Sequence, residues 1–280
     1  MDINIVVVGL GVIGGSYAMA LREKGYKNIY AIDLNEDSLR KAESLNIINK
    51  GCTEGKKFLK DADIIILSVY PELVKEFINN NKNLFKDGCI ITDTTGIKGV
   101  IVDDIKKSLP DNVDFVFGHP MAGREKKGID FATSEVFKGA NYIITPIDTN
   151  KEKSIKLIEK IALEIGFKKV KRITPQFHDK MVGFTSQLPH AIAVALINSD
   201  EEDRDTGSFI GDSYRDLTRI ANINAELWCE LFLGNKENLL EAINSFEVEM
   251  NLIKNAIECE DREKLIRYFN KSSIRREKLE

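Results

Sequence analysis

The chain has 280 residues, 43% of them hydrophobic and 30% charged, and its 40 Lys and Arg against 44 Asp and Glu leave a formal net charge of −4. This composition excludes a disordered chain, and the mild acidity excludes a global basic field for nucleic acid or anionic membranes. At about 150 residues per domain, the length suits two domains.

Short β-branched runs and amphipathic stretches alternate through the first two-thirds. Ile3–Val8, Asn28–Asp33, Asp63–Ser68, Ile90–Asp93, Asp114–Gly118 and Asn141–Pro146 read as strands. Gly14–Lys24, Asp37–Leu45, Pro71–Leu84 and Lys98–Leu109 carry helical spacing between them. Ile3–Val8 and Ile64–Leu67 are almost wholly apolar, as expected of strands buried on both faces of a parallel sheet. The alternation predicts a doubly wound, Rossmann-type α/β domain with right-handed crossovers. A helix near 151–165 and a strand at Lys168–Ile173 complete it.

Beyond Pro175 only helical patterns remain: His178–Ile197, Asp212–Ala221, Ala225–Leu233, Lys236–Ile257 and a charged tail from Asp261, with a polar loop at Asp200–Asp212. The expected division is residues 1–174 for the α/β domain and 175–280 for an all-helical C-terminal domain. Helices with several apolar faces commonly bury one against a second copy, which predicts a homodimer. The start MDINIVVVGLG lacks the parts of a signal peptide, and no apolar run approaches the ~20 residues that span a bilayer. Cys52, Cys89, Cys229 and Cys259 are scattered and form no CxxC, so no metal site or disulfide framework is expected. A reduced, cytoplasmic protein is the expectation.

Gly9-Leu10-Gly11-Val12-Ile13-Gly14 follows an apolar strand, opens a helix and ends 19 residues before Asp33, at the end of the next strand. That context is the dinucleotide fingerprint. Gly9 permits a tight turn, Gly11 admits a pyrophosphate to the backbone, Gly14 allows close helix–strand packing, and the helix N-terminus attracts phosphate. Asp33 suits a ribose diol and repels a 2′-phosphate, with no cation in Leu34 or Asn35 to offset it, so NAD is the expected cofactor. A purely structural glycine turn is the alternative. Ligands of such sheets bind beyond the carboxyl ends of the strands, which places Gly9–Gly11, Asp33, Ser68 and Val69, Asp93–Thr95 and Gly118–His119 along one crevice.

His119 is one of three histidines, and its position suits a catalytic base; a solvated turn is the plain alternative. In the helical domain Gln187 and His190 share a face, with Pro189 between them predicting a kink. Arg215 and Arg219 also share a face and suit a substrate bearing carboxylates, unless Asp212 and Asp216 occupy them as surface ion pairs. Trp228 reads as packing. Asp93-Thr94-Thr95 could orient a hydroxyl or cap the helix that follows. His178-Asp179 reads as a capping or surface pair.

Five strings resemble the prephenate dehydrogenase family, which includes arogenate and cyclohexadienyl dehydrogenases. They are GLGVIGGS at Gly9–Ser16, TDTTGIK at Thr92–Lys98, GHPMAGRE at Gly118–Glu125, HDKMVGFTSQLPH at His178–His190 and YRDLTRIANINAELW at Tyr214–Trp228. The resemblance implies NAD-dependent oxidative decarboxylation of prephenate to 4-hydroxyphenylpyruvate in tyrosine biosynthesis, or the corresponding reaction of arogenate. It implies His119 as the catalytic histidine, His190, Arg219 and Trp228 as substrate residues, and Arg215 as a cation that can reach a neighbouring subunit's site. Glu125 corresponds to an acid that gates or pairs with the site arginine. Two departures stand out. Gly96 occupies the place of a serine common in the family, leaving Thr95 or Thr94 to supply a hydroxyl, and Gln187 replaces a histidine among the substrate residues, where it can donate and accept hydrogen bonds but carries no charge. The competing readings are another β-hydroxyacid or imine oxidoreductase using Lys180, and a silent NAD sensor.

Overall fold

The structure is a computed structural model that describes residues 2–123 and 126–279. The chain runs β1 (Asn4–Val8), α1 (Val12–Glu23), β2 (Asn28–Ile32), α2 (Glu36–Ser44), β3 (Lys50–Cys52), α3 (Lys56–Asp61) and β4 (Ile64–Leu67). Next come α4 (Pro71–Asn81), β5 (Ile90–Asp93), α5 (Gly99–Ser108), β6 (Asp114–Pro120), β7 (Asn141–Thr145), α6 (Glu152–Glu164) and β8 (Lys169–Arg172). The strands form one eight-stranded sheet in the order β3-β2-β1-β4-β5-β6-β7-β8. This is the doubly wound plan, with the order reversing between β1 and β4.

Side chains alternate across each strand, so one sequence feeds two cores. Ile5, Val7, Ile64 and Ile66 pack beneath α1 and α6 with Tyr17, Leu21, Ile155 and Ile158. Val6, Val8, Ile65, Leu67, Phe115 and Phe117 pack beneath α4 and α5 with Val74, Ile78, Ile101 and Ile105. Two elements escape the sequence reading. β3 has three residues and α3 six, too few for any periodicity to register. The sheet also departs from the all-parallel expectation, because β7 runs antiparallel to β6. Among its described residues the connection contains the short 3-10 turns Ile129–Phe131 and Ser134–Phe137 and no α-helix, and a connection of that kind lets the chain return in the opposite direction.

Thr174 caps α7 (Pro175–Val182) through a bond from the Phe177 amide, and the rest of the chain is helical. α7 passes through a π-turn at Gly183–Gln187 into α8 (Leu188–Asn198). The kink expected at Pro189 falls in this preceding turn, because the proline ring crowds the carbonyl four residues earlier and opens the ladder there. α9 (Asp212–Thr218) continues as a 3-10 turn, Arg219–Ala221, followed by α10 (Ala225–Gly234), α11 (Lys236–Glu258) and α12 (Arg262–Glu277). Here the buried apolar cluster has only Leu188, Leu239 and Ala242 at its centre. Leu233, Val248, Ile257 and Phe269 remain exposed. Among the described residues no helix is long and apolar enough to cross a membrane.

Candidate active site

The glycine loop has the form its spacing predicts. Gly9 sits at φ +86°, and a Cβ there would lie 2.5 Å from the Ser68 carbonyl oxygen. A Cβ on Gly14 would strike the Gly9 oxygen, so Gly14 sets the approach of α1 to β1. At Gly11 a Cβ would meet nothing within 4 Å, leaving backbone accessible at the start of α1, where amide donors and the helix dipole favour phosphate. Leu10 is buried and its amide donates to Asp33 Oδ2 at 2.6 Å. Val12 is buried and Ile13 packs against the α1–α6 core. Asp33 is only half-buried and also accepts from the Asn35 amide at 2.7 Å. Ser68 and Val69 flank Gly9, and the Thr94 hydroxyl donates to Ser68 Oγ at 3.3 Å. These residues fit a dinucleotide with a free ribose diol.

Beyond β5 lies a dry polar cluster. Asp93 and Lys98 are fully buried and paired at 2.5 Å. Lys98 Nζ also donates to the carbonyl of Gly118 at 2.6 Å and that of Thr95 at 3.0 Å, while Asp93 Oδ1 accepts the Gly118 amide at 3.0 Å. The ion pair therefore ties the end of β5 to β6 one residue before His119. Thr95 does not take the place of the absent serine. Its buried hydroxyl donates to Asp93 and accepts from Lys98, so its bonds are spent inside the cluster. Asp93 does not cap α5 either; that role belongs to Asp179, whose carboxylate accepts the amides of Lys98 at 2.9 Å and Gly99 at 2.6 Å.

His119 stands at the end of β6, half-buried. Its Nδ1 lies 2.8 Å from Nε2 of His178, whose Nδ1 lies 2.7 Å from Asp179 Oδ1. Burial, then the neighbouring His178 and Lys98, hold the His119 pKa well below its ordinary value. Burial likewise lowers His178, against the opposing pull of Asp179. His178 and Asp179 are buried, contrary to a surface placement.

Helix α10 forms the other wall. Leu231 lies 3.3 Å from where a Cβ on Gly96 would sit, with His119 Cε1 at 3.9 Å from the same point. Three residues earlier, Trp228 stacks on His190 with ring centroids 3.7 Å apart. His190 Nδ1 donates to the Ser186 carbonyl at 2.8 Å. The turn bearing Arg219 packs against α8, the helix that carries His190, while Arg219 itself remains exposed.

Two matches with known proteins cover nearly the whole chain. Residues 17–171 match the nucleotide-binding domain of prephenate dehydrogenase, and residues 174–271 match its dimerization domain. Prephenate dehydrogenase from Aquifex aeolicus, solved in complex with hydroxyphenyl propionate and NAD+, is 33% identical, with a TM-score of 0.91 over 100% of this chain and 99% of that one. Prephenate dehydrogenase of Bacillus subtilis is 28% identical across 100% of this chain and 76% of its own length. Arogenate dehydrogenase from Synechocystis is 25% identical, with a TM-score of 0.83 over 99% of this chain and 100% of that one. The chain belongs to the prephenate dehydrogenase family.

It is accordingly an NAD-dependent oxidoreductase, and the helical half is the family's dimerization domain, which accounts for its uncovered apolar side chains. The family resemblance placed Gln187 among the substrate residues. Here it is buried, its amide donates to the Leu231 carbonyl at 2.7 Å, and its Oε1 accepts from Asn235 at 2.7 Å; it locks the π-turn to α10 and α11. Arg215 is exposed and paired with Asp212 at 2.6 Å, the surface arrangement. Glu125 lies outside the described residues. The sequence reading missed Lys98, because a lysine is ordinarily read as solvated. It also missed the contact of His178-Asp179 with His119, although two of only three histidines were in that pair of motifs.

Proposed function

We propose that this chain oxidises and decarboxylates prephenate to 4-hydroxyphenylpyruvate, with NAD as oxidant. The observation that carries this reading is His119, kept neutral by burial at the end of β6, with Nδ1 engaged by His178 and no described residue bonded to Nε2. The glycine loop and Asp33 would hold the cofactor, whose chemistry when bound is to accept hydride from the substrate's hydroxyl-bearing carbon. As that carbon becomes a carbonyl, its hydroxyl proton passes to Nε2 of His119. The ring carboxylate then leaves as CO₂, its electron pair aromatises the ring, and the same proton returns to the resulting phenolate oxygen.

The substrate is a dianion, and Arg219 is assigned to its side-chain carboxylate. The departing carboxylate is held more loosely, since binding it tightly would stabilise the ground state. His190 and Trp228 form the stacked wall beside the ring, and Arg215 is assigned to the neighbouring subunit's site. A cytoplasmic location accords with these soluble reactants.

The decisive assay follows NADH formation with prephenate and separately with arogenate, which the likeness to an arogenate dehydrogenase makes the second candidate. NADH from prephenate at the higher kcat/KM is expected; none from either substrate would sink the proposal. His119→Asn should lower kcat by about 10³-fold and leave NAD affinity within about twofold. Wild-type turnover in that variant would remove His119 from the chemistry.

A further inference from the structure

Three candidates stand outside the chemistry above. A cavity of about 340 Å³ between α8 and α9 is lined by Leu196, Asp200, Arg204, Phe209 and Tyr214, but Arg204 is already paired with Asp200 and Glu201, and nothing there selects a ligand. The exposed apolar rows of α11 and α12 belong to the dimerization domain. The third candidate is the buried pair behind His119, and its geometry determines more than its burial suggests.

We propose that His178 and Asp179 are positioning residues that form a three-member relay with His119, fixing the proton of His119 on Nδ1 so that Nε2 alone faces substrate as a base. Asp179 Oδ1 accepts the Lys98 amide and Oδ2 the Gly99 amide, at the N-terminus of α5. Both carboxylate oxygens accept from amide N–H groups, so Asp179 stands as an acceptor at this helix N-terminus. His178 Nδ1, 2.7 Å away, must therefore carry hydrogen. A neutral imidazole has one N–H, so His178 Nε2 is an acceptor. His119 Nδ1, 2.8 Å from it, must then be the donor. Each hydrogen bond dictates the next, and the unprotonated atom of His119 is Nε2.

The same chain stabilises the proton that His119 takes up. The imidazolium donates through Nδ1 to His178, which faces the Asp179 charge. This is the orienting logic of a catalytic triad extended by one ring. The surrounding charges do not override it. Lys98 opposes a cation on either ring, but Asp93 pairs with it at 2.5 Å. On β7 the residue opposite His119 is Ile143, and on α10 the nearest side chain beyond Gly96 is Leu231; both are uncharged. Lys98 and Asp179 thus act in opposite senses on the histidine pair. Burial, His178 and Lys98 keep His119 unprotonated at rest, and Asp179, bonded to His178 Nδ1, limits the cost of placing a proton on the pair.

The inference rests on His119 being the base, yet its test separates from that reading because a tautomer can be observed without turnover. The chain has three histidines, so ¹H–¹⁵N ring spectra of protein labelled at histidine can be assigned with single substitutions. Wild-type His119 should show its proton on Nδ1. His178→Leu removes the acceptor and should shift His119 toward the Nε2–H form, with kcat lower by about 10²-fold and NAD affinity unchanged. His178→Gln places an amide oxygen near the lost Nε2; it should retain the Nδ1–H form and recover about tenfold of the lost kcat. A wild-type His119 protonated on Nε2 would overturn the relay, as would a His178→Leu protein with unchanged tautomer and turnover. Should His178→Leu fail to fold, the wild-type spectrum and the Gln variant still decide. Loss of turnover in His119→Asn with a wild-type Nε2–H spectrum would leave the base standing and the relay refuted.

Discussion

The two walls of the crevice are built on opposite principles. Behind His119, Asp93 and Lys98 at the sheet edge and His178 and Asp179 of α7 are buried and bonded chiefly to one another and to backbone. On the helical side, Arg215 and Arg219 are exposed. A buried charge is costly unless every partner is present, so the dry wall holds a fixed geometry suited to proton transfer. An exposed guanidinium loses little solvation on meeting a carboxylate, which suits the role in substrate binding proposed for Arg219. The core follows the same division: the α/β half covers both faces of its sheet, whereas the helical half leaves apolar rows for a second copy.

The dry wall should break hardest. Lys98→Met removes the only cation bonded to Asp93 among the described residues and leaves the Gly118 carbonyl without its buried donor. Breaking one member of a buried pair costs about 3–5 kcal/mol, so the urea midpoint should fall by a corresponding amount. A loss below about 1 kcal/mol would mean that the pair behaves like a surface contact and that the contrast between the walls is wrong.

On the wet wall the effect belongs to binding. Arg219→Gln should raise KM for prephenate by about 10²-fold while kcat changes less than about threefold, the pattern for lost ground-state contact. Its unfolding midpoint should hardly move, because exposed side chains contribute little to stability. Equal losses in kcat and KM would instead place Arg219 at the reacting carbons.

How much could be read from the sequence follows the same line. Strands buried on both faces announce themselves as apolar runs, and the glycine loop carries its own spacing, so β1, β2, β4, β5 and β6, the turn into α1 and the place of His119 at the end of β6 were legible, while the three-residue β3 was not. Legibility failed where the cause is tertiary. Nothing local in a lysine or in a His-Asp pair indicates that helix α7 will bring Asp179 to the amides of Lys98 and Gly99. Nor does a helical face reveal that Gln187 will turn inward to Leu231 and Asn235. Thr95 was misplaced for a related reason. A hydroxyl two residues from a buried aspartate bonds that aspartate before it can reach a ligand.

The smallest effect is expected where the walls touch. Gly96 has no positive φ, so its backbone accepts a side chain; a Cβ there would sit 3.3 Å from Leu231 Cδ2 and 3.9 Å from His119 Cε1. Gly96→Ser restores the residue that the family resemblance leads one to expect. Leu231 is half-buried and can yield by a few tenths of an ångström, so stability should change by less than about 1 kcal/mol. The new hydroxyl would stand beside a base whose tautomer the buried dyad has already fixed. It therefore adds a hydrogen bond without supplying the orientation, and kcat should stay within about threefold of the parent. A tenfold gain would show that orientation of His119 was incomplete without the serine, shifting weight from the buried relay to the seam between the two walls.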